Sequence, residues 1–289
     1  MDQQEKVKFA EQVRQVTSKQ YPEYSPRPDA ILHIPSRAEE RSIRVHKYEP
    51  SQKSSPGPVL INFHGSGFIL RLHGSDEEFA RQVASNTDYT VLDCAYRLAP
   101  EDPWPAAVDD VEDVVKWVLS RPTEFLPSRI SISGFSAGGN LALVASSTLF
   151  PRQFEKVLAV YPAVNLFQDG ASKAAPDPNG EPIPTWMTDI FTDCYVGQNN
   201  KKDPRISPFF SAPESFPDKC CFVTCARDNL CPEAEDLAMQ IKSAPGKLVH
   251  HRRMDECGHA FDKTYKPGST EEKAKDAAYS FLISFLNNE

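Results

Sequence analysis

Apolar and polar positions alternate between two periods along most of the chain. Ser42 to Tyr48 alternates with the period-2 pattern of a strand, and the apolar run Pro58 to Phe63 is expected to pair with it. Tyr89 to Tyr96 and Val157 to Val164 read as buried strands, as do Cys220 to Ala226 and Lys247 to Met254. Helical spacing appears at about Asp76 to Asn86, with Phe79, Val83 and Ala84 inward, and at Ala106 to Leu119, with Val108, Val111, Val115 and Val118 inward. It returns at Pro232 to Ser243 and from about Thr270 to Leu286, the last opened by Ser269 as a cap with Glu271 and Glu272 in the first turn. A short amphipathic helix is expected within Met1 to Val16, followed by a proline-rich arm. Strands separated by helices give a mostly parallel sheet covered on both faces, the α/β class.

Two stretches break the rhythm. One is the leading arm, Met1 to about Ile43; the other runs from about Leu166 to Ala212 and holds a single amphipathic patch, Trp186 to Tyr195. The second is too long for a simple connection. Both are expected to form a cap over one domain spanning residues 1–289, with Phe9, Tyr21, Phe167, Trp186, Met187, Ile190, Phe191 and Tyr195 as its apolar content.

Arg129 to Ile132 alternates as a strand, Leu141 to Ser147 is a run of small and apolar residues, and Gly134-Phe135-Ser136-Ala137-Gly138 lies between them. A serine on so sharp a strand-to-helix turn projects its oxygen outward, and side chains two residues before or after would collide. Ser136 is the candidate nucleophile. It needs a base and a third group to orient that base. His259 stands on the loop after the final strand, and Asp228 follows the preceding strand 31 residues earlier. Asp255 and Asp262 lie too near His259 in sequence and read as solvated loop carboxylates; His250 and His251 read as structural or surface histidines. The loop His64-Gly65-Ser66-Gly67 can present backbone N–H groups of Gly65 and Ser66 to an oxyanion, joined by the N–H of Ala137 at the start of a helix.

Composition narrows the chemistry further. The 289 residues carry a net charge of −8, which argues against nucleic acid and anionic membrane surfaces as partners. No run is long enough to span a bilayer. Seven cysteines without a disulfide or metal spacing read as small buried hydrophobes, and the cytoplasm is the expected compartment. No metal or nucleotide motif is present, so neither a metal nor another cofactor is expected.

The segments His64 to Phe68, Tyr96-Arg97-Leu98-Ala99-Pro100-Glu101 and Gly134 to Asn140, with Asp228-x-Leu230 and His259-x-Phe261, resemble the hormone-sensitive-lipase-like group of α/β-hydrolases. The resemblance runs from about residue 43 to the C-terminus. It implies an α/β-hydrolase fold, cofactor-free ester hydrolysis with the triad Ser136, Asp228 and His259, oxyanion donors at Gly65, Ser66 and Ala137, and the two-part cap. Two positions depart from the group. Ser66 replaces a glycine whose role is backbone donation, and Phe135 replaces an aspartate, which is expected to reshape the acyl pocket. The Arg97–Glu101 segment reads as a structural brace. The resulting expectation is a serine carboxylesterase for short- to medium-chain esters of small molecules. The alternatives are a hydrolase dedicated to one metabolite (an acetyl ester, lactone or formamide) and a small-molecule receptor on the same fold, against which His259 counts. The sequence does not fix the oligomeric state, a homodimer included.

Overall fold

The computed structural model describes residues 1–20 and 24–288; Tyr21, counted above among the cap residues, lies outside them. Eight strands form one sheet in the order β1-β2-β4-β3-β5-β6-β7-β8. They are β1 (Ala30–Pro35), β2 (Ser42–Tyr48), β3 (Gly57–Phe63), β4 (Thr90–Cys94), β5 (Phe125–Phe135), β6 (Lys156–Val160), β7 (Lys219–Cys225) and β8 (Leu248–Met254). From β4 onward in that order every pairing is parallel, whereas β1–β2 and β2–β4 are antiparallel.

The strand expected at Ser42–Tyr48 is present, but its expected partner is not: β2 lies between β1 and β4 and does not pair with β3. Alternation fixes which face a strand buries, not which neighbour it takes. The leading arm also divides. Residues 3–20 are helix α1, while Ala30–Pro35 is the edge strand of the sheet, so its second half belongs to the sheet and not to a cover.

The helices α2 (Glu77–Asn86), α3 (Ala106–Leu119), α4 (Ala137–Val144), α5 (Thr185–Val196), α6 (Cys231–Ser243) and α7 (Thr270–Asn287) fall near the positions that periodicity marks. The pleat of β3 explains the two-layer covering. Val59, Ile61 and Phe63 pack in one core with residues of α3, α4 and α6, while Leu60 packs in the other with residues of α2 and α7. Each such buried side chain contributes about 1.5–3 kcal/mol relative to exposure. Ser269 caps α7, its Oγ accepting from the Glu272 N–H at 3.2 Å.

Helix α1 is tied to the domain through buried Arg14, which donates to the carbonyls of Ile69 and Ala99 at 2.9 and 3.1 Å and to both carboxylate oxygens of Glu101. Arg97 reaches the buried carboxylate of Asp110, which Arg41 also grips at 2.7 and 2.8 Å. The 97–101 segment therefore braces the fold as expected, and its glutamate also anchors α1. All seven cysteines are free and buried. Among the described residues no helix is long and apolar enough to cross a membrane.

Candidate active site

Strand β5 delivers the chain into the turn and α4 leads it away. Between them Ser136 sits at φ 51° and ψ −117°, a conformation that costs a non-glycine residue about 1–3 kcal/mol. The surrounding packing holds it there: the Ser136 N–H donates to the Val160 carbonyl at 2.9 Å, and its own carbonyl accepts from Asn140 at 3.0 Å. The flanking glycines are required by contact. A Cβ on Gly134 would stand 2.1 Å from the carbonyl oxygen of Gly138, and one on Gly138 would stand 1.9 Å from that of Phe63.

Three residues from three different loops meet here. Ser136 Oγ is 2.9 Å from His259 Nε2, and His259 Nδ1 is 2.7 Å from Asp228 Oδ2. Asp228 is fully buried, and its other oxygen accepts from the Leu230 N–H at 3.0 Å, which fixes the carboxylate plane. A neutral imidazole in this setting holds its proton on Nδ1 and turns the Nε2 lone pair toward the serine.

Gly65, Ser66 and Ala137 line the same pocket as Ser136 and His259. Ser66 uses its hydroxyl away from that role: Oγ lies 2.6 Å from the Tyr96 hydroxyl and accepts from the Phe68 N–H at 2.9 Å. Tyr96 in turn donates to the His64 carbonyl at 2.7 Å. The Ser66 hydroxyl thus pins the loop.

The pocket has a volume of about 430 Å³. Its far wall comes from the segment between β6 and β7, through Leu166, Ile183, Pro184, Met187 and Phe191. Among the described apolar residues expected in the cap, only Met187 and Phe191 face it. Tyr195 is buried against Phe68 with ring centroids 3.7 Å apart, and Phe167 and Trp186 are half exposed. Among its described residues helix α1 supplies none to the wall and stands behind α5, with the ring of Phe9 edge-on to Trp186 and Lys6 paired with Asp193 at 2.8 Å.

Two expectations are overturned. Phe135 does not shape the pocket: it is fully buried on the other side of the turn, against Phe79, Tyr161 and Tyr279. Asp262 is not a solvated loop carboxylate. It is 4% exposed and accepts from the hydroxyls of Tyr161 at 2.6 Å and Tyr279 at 2.7 Å, with Lys263 Nζ at 2.9 Å. Burial opposes its charge, but Lys263 and the two hydroxyls outweigh burial and hold its carboxyl below the ordinary range. Asp255, by contrast, is exposed as expected.

Sequence reasoning passed over Tyr161 and Lys263, both of which line the pocket. The Tyr161 ring stands edge-on to His259 with centroids 4.8 Å apart. Lys263 Nζ bridges Asp262 to Asp76, 2.7 Å away, and lies 4.1 Å from the centre of the Phe135 ring. The only signal was position, an Asp-Lys pair directly after the His259-x-Phe261 segment.

Comparison with known proteins identifies the fold. Residues 60–263 match the family described as alpha/beta hydrolase fold. The chain is 28% identical over 277 residues to the carboxylic ester hydrolase LipN of Mycobacterium tuberculosis, covering 89% of this chain and 70% of that one. It is 30% identical over 267 residues to an AB hydrolase superfamily protein of Schizosaccharomyces pombe, covering 87% and 76%. Among solved structures, an esterase of Pyrobaculum calidifontis superposes with a TM-score of 0.79 at 25% identity, over 99% of this chain and 92% of that one.

Proposed function

The chain belongs to the α/β-hydrolase family, in its hormone-sensitive-lipase-like branch, and from that premise we propose that it is a serine carboxylesterase working through an acyl-enzyme on Ser136. One observation carries the reading: the unbroken line from Asp228 through His259 to Ser136, at 2.7 and 2.9 Å, opening into a bounded, largely apolar pocket. The esterase names of the relatives support the same reaction type.

In the proposed cycle, Ser136 Oγ attacks the ester carbonyl carbon while His259 Nε2 takes its proton. The negative oxygen that develops is received by the N–H groups of Gly65, Ser66 and Ala137, the last favoured by the N-terminal end of α4. One such donor is worth about 2.7–4 kcal/mol in the transition state. The imidazolium, held by Asp228, returns the proton to the departing alcohol oxygen. Water then repeats the sequence on the acyl-enzyme and frees the acid. The 166–212 segment acts as the cap that bounds substrate size, favouring short- to medium-chain acyl groups of small-molecule esters.

The test is a p-nitrophenyl ester series from acetate to palmitate, with peptide mapping after treatment with a fluorophosphonate. Turnover with a single label on Ser136 is expected. A label on another residue, or undiminished turnover by Ser136→Ala, overturns the assignment.

A further inference from the structure

Behind the oxyanion loop lies a cluster of ligating side chains for which ester hydrolysis has no use. His46 on β2, His73 on the loop before α2 and Asp93 on β4 bring one ligand atom each to within 4.8 Å of one another. None of the three lines the pocket. His46 is 2% exposed and Asp93 is fully buried. Even so, both ring nitrogens of His46 and Oδ2 of Asp93 have no hydrogen-bond partner among the described residues. Buried polar atoms are nearly always satisfied, so an unpartnered His46 nitrogen and Asp93 Oδ2 facing one space beside a nitrogen of His73 call for an occupant.

Their chemistry says which kind. Asp93 Oδ2 stands 3.9 Å from His46 Nδ1 and 3.6 Å from His73 Nε2. Two ligands each about 2.0–2.1 Å from a tetrahedral zinc ion stand roughly 3.4 Å apart, so each spacing is within about half an ångström of a shared ion. Two imidazoles and a carboxylate form a donor set suited to zinc and its neighbours and poorly suited to calcium or magnesium. Asn62 Nδ2 donates to Asp93 Oδ1 at 3.0 Å, orienting the carboxylate from behind as supporting groups do at metal centres.

We propose that His46, His73 and Asp93 bind one divalent transition-metal ion of the zinc type, with water completing the shell. Water and ion enter past His73, whose side chain is 16% exposed, unlike the other two. The two rings are stacked, with centroids 4.1 Å apart and planes 22° from parallel, so binding turns the His73 ring and releases its Nε2 contact with the Asp93 carbonyl at 3.1 Å. Arg44, whose charge both imidazoles feel, works against the ion and limits affinity. Bound there, the metal joins β2 and β4 to the loop that begins at the oxyanion segment, a structural site separate from the reacting atoms.

The experiment uses the full chain stripped with a chelator, then titrated with Zn²⁺ by calorimetry and with Co²⁺ by visible absorption. Expected are one ion per chain, d–d bands of a low-coordinate Co²⁺ centre, and a higher Tm in the presence of metal. His46→Gln and His73→Gln should each weaken binding at least tenfold and remove the bands while turnover of p-nitrophenyl acetate persists. Should His46→Gln fail to fold, the partly exposed His73→Gln carries the test. Binding as tight in His73→Gln as in the wild type, or no binding by the wild type at all, overturns the proposal.

Discussion

Two buried aspartates, Asp228 paired with His259 and Asp262 three residues beyond that histidine, differ in how their oxygens are used. Asp228 spends one oxygen on a backbone N–H and the other on His259, a partner that is itself partly open to the pocket. Asp262 is saturated by two tyrosine hydroxyls and a buried ammonium, and Lys263 extends it to Asp76, Asn62 and Asp93. A carboxylate with one movable, protonatable partner can steady a charge that comes and goes during a reaction. A carboxylate locked among donors on all sides can only hold its surroundings together. Burial is common to both; the freedom of the partner separates them.

The sharpest way to break this comparison is at the reaction. Asp228→Asn should lower kcat by about 10⁴, because the amide stabilises the wrong imidazole tautomer, and Ser136→Ala should lower it by on the order of 10⁶. Both variants should keep the wild-type circular dichroism and unfolding midpoint to within a few degrees. Asp255→Asn, on an exposed residue, should leave kcat within twofold. Steady-state kinetics on p-nitrophenyl acetate decides: a crippled Asp255→Asn beside a healthy Asp228→Asn reverses the assignment.

Asp262→Asn should show the opposite profile. Removing one partner of a buried ion pair costs about 3–5 kcal/mol when the remaining charge is stranded. Asp76 still neutralises Lys263, so the lower end, about 3 kcal/mol, is expected from urea unfolding, with kcat reduced less than tenfold. The pH dependence sharpens this. The folded carboxyl of Asp262 ionises below its ordinary 3.8, so its contribution is complete above that value and is lost as pH falls through the lower folded one. As pH falls below about 3.8 the wild type should therefore lose more stability than Asp262→Asn. Equal losses would mean that this carboxylate carries no net stabilising charge.

The two aspartates were not equally legible in the sequence, for a physical reason. Ser136, Asp228 and His259 each follow a strand, and the turn around Ser136 imposes local steric demands that Gly134 and Gly138 reveal. Asp262 follows the same strand as His259, yet its role depends on Tyr161, 101 residues away, and on Tyr279, contacts that leave no periodic trace. The same limit hid the neighbour of β2 and the edge strand β1. β1 lies in a proline-rich setting, and prolines there mark an edge as readily as a loop. Local constraint was readable; the choice of distant partner was not.

The smallest predicted effect lies in the cap and tests which of its residues meet substrate. Phe191 is the aromatic residue of α5 that both faces the pocket and approaches the loop through Gly67; a Cβ on Gly67 would stand only 2.3 Å from its ring. In the wild type each added methylene should gain about 0.8 kcal/mol of burial until the pocket of about 430 Å³ is full. Beyond that point kcat/KM should fall, steeply so for palmitate. Phe191→Ala opens the wall and should move the optimum toward longer acyl chains, a change of about fourfold per methylene newly accommodated. Trp186→Ala, on the same helix but half exposed and outside the wall, should leave the chain-length profile where it was. Deleting residues 1–20 should flatten the profile without creating new wall, because α1 only stands behind α5 and the Ile69 carbonyl. A profile that shifts with Trp186→Ala and stays fixed with Phe191→Ala would place the acyl chain against another wall.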